Sequence, residues 1–251
     1  MSEQILKVDN LTISYEVKFY KARTVRDIFV DIITSPIDYF VHSPDRVVVL
    51  KDISFTVYKG DILGIIGKNG QGKTSLCRYL SGIIESKHIK INGRSRAIFE
   101  SNAAVYPDLT GRENAEILVE LMFPEKTIKE KKEIIEDSVS FSELGDFIEM
   151  PIKNYSRGMK ARLYLSLLTA SDSDLLIMDE VLGGADQFFT EKMNSRVKDL
   201  MKKCGAAVIV SHNLEEIKSQ CNRLIILDDK KIIYDGSVKE GLLFYNAMGK
   251  E

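Results

Sequence analysis

The sequence predicts an α/β fold, in which short apolar β-strands alternate with helices. Three observations support this prediction. An apolar run over residues 61–66 leads into a glycine-rich segment and then a helix over residues 75–80. Two further apolar strands are predicted at residues 175–178 and 206–210. From Thr110 to about Ala170, the pattern is helical.

The composition limits the classes of protein to consider. With 251 residues, 44% of them hydrophobic, the chain can bury a substantial core. The net charge of −2 argues against a dedicated nucleic-acid binder, because acids nearly balance the Lys and Arg residues. Cys77, Cys204 and Cys221 have no paired spacing, which is consistent with a reducing cytosol and suggests neither a disulfide framework nor a zinc site. No apolar stretch approaches the roughly 18 residues needed to cross a bilayer, and no signal peptide is evident.

The glycine-rich segment Gly67–Thr74 reads GKNGQGKT and fits the phosphate-binding template of Gly, four residues, then Gly-Lys-Ser/Thr. Its glycines let the backbone fold around an anion, with amide N–H groups and a helix N-terminus facing the phosphates. We expect Lys73 to place its ammonium on the outer phosphates and Thr74 to offer Mg²⁺ a hydroxyl oxygen. The alternative is a glycine-rich turn with a surface lysine, which the flanking strand and helix disfavour.

Two acids follow the strand at residues 175–178. Asp179 is the expected anchor of the metal, and Glu180 is expected to orient or deprotonate the attacking water. Alone, the pair is equally compatible with a plain strand-to-loop exit; together with the phosphate loop it favours a nucleoside triphosphatase.

Two further residues stand at strand ends. His212 follows the strand at residues 206–210, at an exit like those of Gly67 and Asp179, which places it well for the terminal phosphate. Tyr15 ends a strand over residues 5–15, where its ring could stack on a purine. An aromatic residue at a strand end is more often plain packing, and both interpretations stay open here.

Residues 16–45 interrupt the β pattern. A basic cluster precedes one apolar helix face, which predicts a short amphipathic helix ended by Ser35-Pro36. The basic residues are Lys18, Lys21, Arg23 and Arg26, and the apolar ones are Val25, Ile28, Phe29, Ile32 and Ile33. The helix either packs on this domain's own sheet or is presented to a membrane surface or partner.

The remaining elements are short. Strands are predicted at residues 47–50, 53–57, 89–94 and 97–99, a hairpin at 224–234, and helices at 188–203 and 237–248. Ser156, Arg157 and Gly158 open another helix, where an N-cap and an anion site coincide. A capped helix with no ligand is the competing interpretation.

The order of these motifs resembles that of the ATP-binding cassette ATPases over nearly the whole chain. Residues 109–114, 141–145 and 151–158 look more narrowly like the subunits that power export of capsular polysaccharide, O antigen or teichoic acid. The extra segment at residues 16–45 also fits that subfamily, which often lengthens the chain after the adenine-stacking aromatic.

The resemblance implies one nucleotide-binding domain, residues 1–251, with a mixed-sheet core, an antiparallel β subdomain and a helical subdomain over about residues 102–170. It implies ATP and Mg²⁺ as cofactors, with Lys73, Glu180 and His212 catalytic and Thr74 and Asp179 on the metal. The implied ATP-binding residues are Tyr15, Gly67, Lys68, Asn69, Gly70, Gln71, Gly72, Lys73, Thr74, Ser75, Ser156, Gly158 and Asp186. Within this set, Ser156 and Gly158 would cap the γ-phosphate of ATP bound on the opposite subunit.

Three positions depart from the family pattern. Arg157 stands where the family usually has a small residue. The glutamine usually found before the helical subdomain is not evident, and Glu100 or Asn102 occupies that neighbourhood. Residues 183–185 read Gly-Gly-Ala where Ser-Ala-Leu is commoner, ahead of Asp186.

One phosphate loop and one signature in the chain imply a homodimer. By resemblance it would lie beneath two copies of an integral membrane subunit, peripherally at the cytoplasmic face of the bacterial inner membrane, and serve a lipid-linked glycan. Two rival classes are an ATP-switched interaction protein with the same cassette and a phosphate-loop kinase. The resemblance implies no nucleic-acid partner.

Overall fold

The computed structural model describes residues 3–17, 45–99, 106–179 and 187–248. Its strands are β1 Gln4–Val17, β2 Asp45–Tyr58, β3 Ile62–Ile66, β4 Ile89–Ile91, β5 Ser95–Phe99, β6 Leu175–Asp179, β7 Ala206–Val210, β8 Arg223–Asp228 and β9 Lys231–Ser237. Its α-helices are α1 Lys73–Leu80, α2 Gly111–Met122, α3 Ile128–Ser142, α4 Arg157–Leu168, α5 Gln187–Lys203, α6 Leu214–Gln220 and α7 Val238–Met248. The predicted amphipathic helix within residues 16–45 lies outside the described residues.

A six-stranded sheet in the order β5-β6-β7-β3-β8-β9 forms the centre of the fold. Its first five strands are parallel, and β9 runs antiparallel to β8. Strands β6 and β7 are buried at every position, because side chains of successive residues point to opposite faces and both faces are covered. One face packs with α1 and the antiparallel strands, and the other with α4, α5 and α6. This architecture confirms the predicted α/β class.

A second sheet is antiparallel, in the order β2-β1-β4. The prediction of separate strands at residues 47–50 and 53–57 is wrong in one respect, because β2 is continuous across them. Asp52 adopts a positive φ of 52° there, and its backbone N–H donates to Thr12 Oγ1 at 3.1 Å. This hydrogen bond to the neighbouring strand β1 lets Asp52 stay within β2. The β1–β2 pairing extends as far as Val17 and Asp45.

The helical region comprises α2, α3, the short 3₁₀ helices Gly145–Glu149 and Ile152–Asn154, and α4. Helices α2 and α3 each begin with a complete capping box, Thr110 with Glu113 and Thr127 with Glu130. Helix α4 contributes Leu163 and Leu167 to the core of this region. Its neighbouring residues Leu165 and Leu168 belong to the core beneath the six-stranded sheet. A single helix therefore joins the two cores.

The other predicted elements are confirmed with small changes of boundary. The helices predicted at 188–203 and 237–248 are α5 and α7, and the predicted hairpin is β8–β9. Helix α6 was not predicted; it begins after Asn213, whose side chain accepts from the backbone N–H groups of Glu215 and Glu216. Within the described ranges, the helices are all too short or too polar to cross a membrane.

Candidate nucleotide site

The sheet brings three sequence-predicted segments to one edge. Asp179 of β6 pairs with Val210 of β7, which pairs in turn with Ile65 of β3. Gly67 and His212 each lie two residues beyond this row, on neighbouring strands that are about 4.8 Å apart. The phosphate loop, the acidic strand end and the histidine therefore share the carboxyl edge of the sheet, which is where ligands bind in open α/β folds.

The phosphate loop depends on its glycines. Gly70 and Gly72 have positive φ angles of 82° and 85°, a conformation that residues with a Cβ rarely adopt. A Cβ on Gly67 would lie 2.4 Å from the carbonyl oxygen of Leu227 in β8. The loop is thus folded tightly between β8 and the start of α1.

Lys73 begins helix α1 and is 7% exposed. Its Nζ donates to the carbonyl oxygens of Gly67, at 2.7 Å, and Lys68, at 3.2 Å. The ammonium is held at the centre of the loop by oxygens that phosphate oxygens can replace. The helix N-terminus at the same point also favours an anion.

Thr74 and Asp179 both line a cleft of about 880 Å³ between the sheet and the helical region. Asp179 is 7% exposed. Burial raises the pKa of the Cys77 thiol of α1 well above its ordinary value, and the negative charge of Asp179 raises this pKa further. The Asp179 carboxylate therefore lies close to α1. A carboxylate and a hydroxyl in one cleft are hard oxygen donors of the kind that suit Mg²⁺.

The segment around His212 is fixed by its neighbours. Ser211 Oγ donates to Glu216 Oε2 at 2.6 Å and accepts from the Asn213 backbone N–H at 3.1 Å. The His212 side chain is exposed between these two anchors. Ser211 and Glu216 were not predicted; the Asn213-x-x-Glu216 spacing, an N-cap followed by an acid, is the signal that points to α6.

Tyr15 is 36% exposed and pairs directly with Val47, which is 45% exposed. A register shift separates this pair from the Ile13–Leu50 pair, which is fully buried. A Cβ on Gly72 would contact Val49 and Leu50 of β2. The β1–β2 ribbon thus runs from beside the phosphate loop to an exposed apolar pair, Tyr15 and Val47, which could hold a purine ring.

Ser156 lies apart from the strand edge, at the N-terminus of α4 in the helical region. Its Oγ accepts from the Met159 backbone N–H at 3.2 Å, so the predicted N-cap is confirmed. Gly158 lies in the first turn of the same helix. Glu180, Asp186, Glu100, Asn102 and residues 183–185 lie outside the described residues.

A parallel sheet whose carboxyl edge carries a glycine-rich loop, a lysine at a helix N-terminus and a buried aspartate defines a phosphate-loop nucleoside triphosphatase. A family model described as ABC transporter matches residues 50–183. Relatives more than 30% identical also cover most of the chain. The chain belongs to the ABC transporter family of ATPases.

Three relatives illustrate the match. The O-antigen export system ATP-binding protein RfbB of Klebsiella pneumoniae is 33% identical over 80% of this chain and 81% of its own length. The teichoic acids export ATP-binding protein TagH of Staphylococcus haemolyticus is 34% identical over 80% of this chain and 76% of its own. The ABC transporter protein AbcA of Aeromonas salmonicida is 35% identical over 79% of this chain and 65% of its own length.

Solved structures share the fold. An ATP-binding subunit of an ABC transporter is 20% identical with a TM-score of 0.71, covering 96% of this chain and 93% of that one. The dimeric post-hydrolysis structure of the ATP-binding cassette MJ0796 with ADP and Pi is 16% identical with a TM-score of 0.69, covering 93% of this chain and 99% of that one. The identities are low enough that these matches support the fold alone.

Proposed function

We propose that this chain is the ATP-hydrolysing subunit of a transporter that exports a lipid-linked polysaccharide, such as O antigen, capsule or teichoic acid, across the cytoplasmic membrane. The observation that carries the hydrolytic part is the meeting of Lys73, Asp179 and His212 segments at one sheet edge. The export part draws support from the names of the RfbB and TagH relatives.

In this proposal, the phosphate loop binds the β- and γ-phosphates and Lys73 leaves its carbonyl partners to balance their charge. Thr74 and Asp179 hold Mg²⁺, which when bound neutralises charge on the phosphate oxygens. Glu180 orients and deprotonates the water that attacks in line. His212 contacts the γ-phosphate, and Tyr15 stacks on the adenine.

The proposed working unit is a homodimer. Ser156 and Gly158 of one subunit contact the γ-phosphate held by Lys73 of the other, because the positive end of the α4 dipole favours an anion. Asp186 belongs to the same nucleotide site. Two copies of an integral membrane subunit would hold the dimer at the cytoplasmic face of the membrane, with the segment 16–45 toward that partner or the lipid surface.

Phosphate release from Mg²⁺-ATP tests the hydrolytic part. We expect Lys73→Ala to lose both binding and hydrolysis, and Glu180→Gln to retain ATP while hydrolysis falls by roughly 10²-fold or more. Lys90→Ala, which removes an exposed lysine of β4, is the matched control and should keep wild-type activity. Near-normal turnover in Glu180→Gln would remove that residue from the mechanism.

Mixed dimers test the composite site. Combining Lys73→Ala and Ser156→Arg subunits leaves one hybrid site doubly impaired and the other intact, so partial activity should return. Copurification with an integral membrane protein, and loss of glycan export in cells carrying Glu180→Gln, test the transport role. An active ATPase that copurifies with no membrane subunit would favour the interaction-protein alternative.

A further inference from the structure

Helix α5 is joined to the helical region by two cations that share one aromatic ring. Lys192 Nζ lies 4.3 Å from the centroid of the Phe141 ring, and Arg196 Cζ lies 4.2 Å from the same point. Lys192 Nζ also donates to the Phe141 carbonyl oxygen at 3.0 Å. Phe141 lies in the last turn of α3, so this cluster, called here the Phe141 clamp, fastens α5 to α3.

Arg196 extends the clamp to a third helix. Its Nε donates at 3.1 Å to the carbonyl oxygen of Thr169, the C-cap of α4. Its guanidinium also pairs with Asp137 of α3. The Arg196 side chain is 16% exposed, so water screens these contacts less than it would on an open surface. One side chain thereby connects α3, α4 and α5.

A second ring repeats the arrangement. Phe189 of α5 is fully buried and meets Phe141 edge to face, at 5.8 Å between centroids. Arg162 Cζ of α4 lies 5.0 Å from the Phe189 ring centroid. Glu143 pairs with both Lys192 and Arg162. Cations from both α4 and α5 therefore contact the aromatic pair.

The two helices lead to different parts of the proposed composite site. Helix α4 begins directly after its N-cap Ser156, which would contact the opposite subunit's nucleotide, whereas α5 begins directly after Asp186. We propose that the Phe141 clamp makes α3, α4 and α5 move as one body, so that Phe141, Lys192 and Arg196 are positioning residues that keep Ser156 aligned for hydrolysis. This inference rests on the proposed function.

Positioning and plain structural support predict different kinetics. The phosphate loop and α1 do not contribute to the clamp, so ATP affinity at Lys73 should survive its loss. If the clamp aligns Ser156, kcat falls while KM for ATP stays unchanged. If it only stabilises the fold, the melting temperature falls while kcat per folded molecule is retained.

The test compares Phe141→Leu and Arg196→Gln with Phe141→Tyr, which keeps a ring for the cations, and with Lys198→Gln, an exposed site on α5. We expect about a tenfold lower kcat in the first two, with KM within twofold of wild type. Phe141→Tyr and Lys198→Gln should stay near wild type. Assays run well below each melting temperature, with the active fraction set by nucleotide-binding stoichiometry.

Amide hydrogen exchange provides a readout that does not require turnover. Loosening the clamp should speed exchange in the first turn of α4 about tenfold, while α1 is unaffected. Wild-type kcat in folded Phe141→Leu and Arg196→Gln, or unchanged exchange in α4, would overturn the clamp. If Phe141→Leu does not fold, Arg196→Lys replaces it in the test, because lysine keeps the charge but cannot contact Thr169 and Asp137 at once.

Absence of ATP hydrolysis in the wild-type protein would instead refute the proposed function. The exchange data would still test the clamp in that case.

Discussion

The six-stranded sheet and the helical region are stabilised in different ways. Strands β6 and β7 are buried at every position, and Asp179 at the carboxyl edge is their one polar residue. The helical region instead buries Asn114, Ser138 and Ser142 completely. Burial of apolar area is non-directional, whereas buried polar groups are stabilising only when every hydrogen bond is made. The sheet should therefore tolerate change except at its loop-bearing edge, and the helical region should be sensitive to single polar substitutions.

The largest effect is expected at the phosphate loop, on the one edge of the sheet that should not tolerate change. Gly72→Ala places a Cβ 2.7 Å from Val49 Cγ1 at a φ of 85°. Backbone strain of about 1–2 kcal/mol and crowding of about 1–3 kcal/mol should distort the loop and weaken ATP binding by at least about tenfold. Titration with a fluorescent ATP analogue measures this loss.

Gly70→Ala is the matched control, because Gly70 has a similar φ of 82° but no atom within 4 Å of the new Cβ. It should show the strain without the crowding. Equal affinities of the two variants for ATP would show that packing against β2 does not shape the loop.

The next largest effect is expected in the helical region. Asn114 Nδ2 shares its two N–H groups among the carbonyl oxygens of Tyr106, Leu109 and Thr110, and its Oδ1 accepts from the Tyr106 N–H at 2.7 Å. Asn114→Ala removes these bonds. The three carbonyl oxygens keep backbone N–H donors, but the Tyr106 N–H loses its acceptor, so the free energy of unfolding should fall by about 2 kcal/mol. Urea denaturation followed by circular dichroism measures it.

Asn222 offers the comparison on the sheet side. It accepts from the Ile62 N–H and donates to the Gly60 carbonyl oxygen, but its side chain is exposed and water can replace it. Asn222→Ala should lower the free energy of unfolding by about 1 kcal/mol. A larger loss for Asn222→Ala than for Asn114→Ala would reverse the contrast between the regions.

A pH titration should reveal a smaller difference in stability between the two regions. Hydrogen bonds from the Thr127 backbone and side chain lower the pKa of Glu130 from 4.5 to about 2, and equivalent bonds from Thr110 lower that of Glu113. Because these folded-state pKa values are depressed, their contribution to stability is present above about pH 4.5 and is lost as the pH falls toward 2. The pH-dependent loss of helix in α3, followed by NMR, should be reduced in Glu130→Gln, whereas that in α2 should be unchanged. An identical acid transition in wild type and Glu130→Gln would contradict the assignment.

The smallest effect is expected for the surface of α3. Lys129 and Glu133 are 4.0 Å apart and mostly exposed. Lys129→Gln should change the free energy of unfolding by less than about 0.5 kcal/mol. A change above 1 kcal/mol would show that exposed ion pairs contribute substantially to the stability of the helical region, as its buried polar groups do.

The strand–loop–helix unit around Lys73 is predictable from sequence because apolar runs and a glycine template report local geometry directly. Helix α6 is harder to predict, because its 7 residues leave little periodicity and only the Asn213 cap with Glu216 three residues later marks its start. The continuous β2 is missed for a related reason. Lys51 and Asp52 look like a turn until the contact with Thr12, forty residues away in the chain, is known.

The candidate site divides in the same way. The position of Gly67, Asp179 and His212 at strand ends follows from sequence, since parallel strands bring their carboxyl ends to one edge. The pairing of Tyr15 with Val47 and the Phe141 clamp depend on register and on contacts between distant helices, which no local pattern encodes. The roles of Ser156, Glu180 and Asp186 remain predictions.

The paired ends of β1 and β2 have a consequence for how this chain can be varied. Val17 and Asp45 are ladder partners, so the segment between them leaves and rejoins the ribbon at points about 5 Å apart. Doubling the length of such a closed segment costs only about 0.6 kcal/mol. The paired strands thus hold the two attachment points at a fixed separation, so segments of different length and sequence can be inserted between them without moving the nucleotide site.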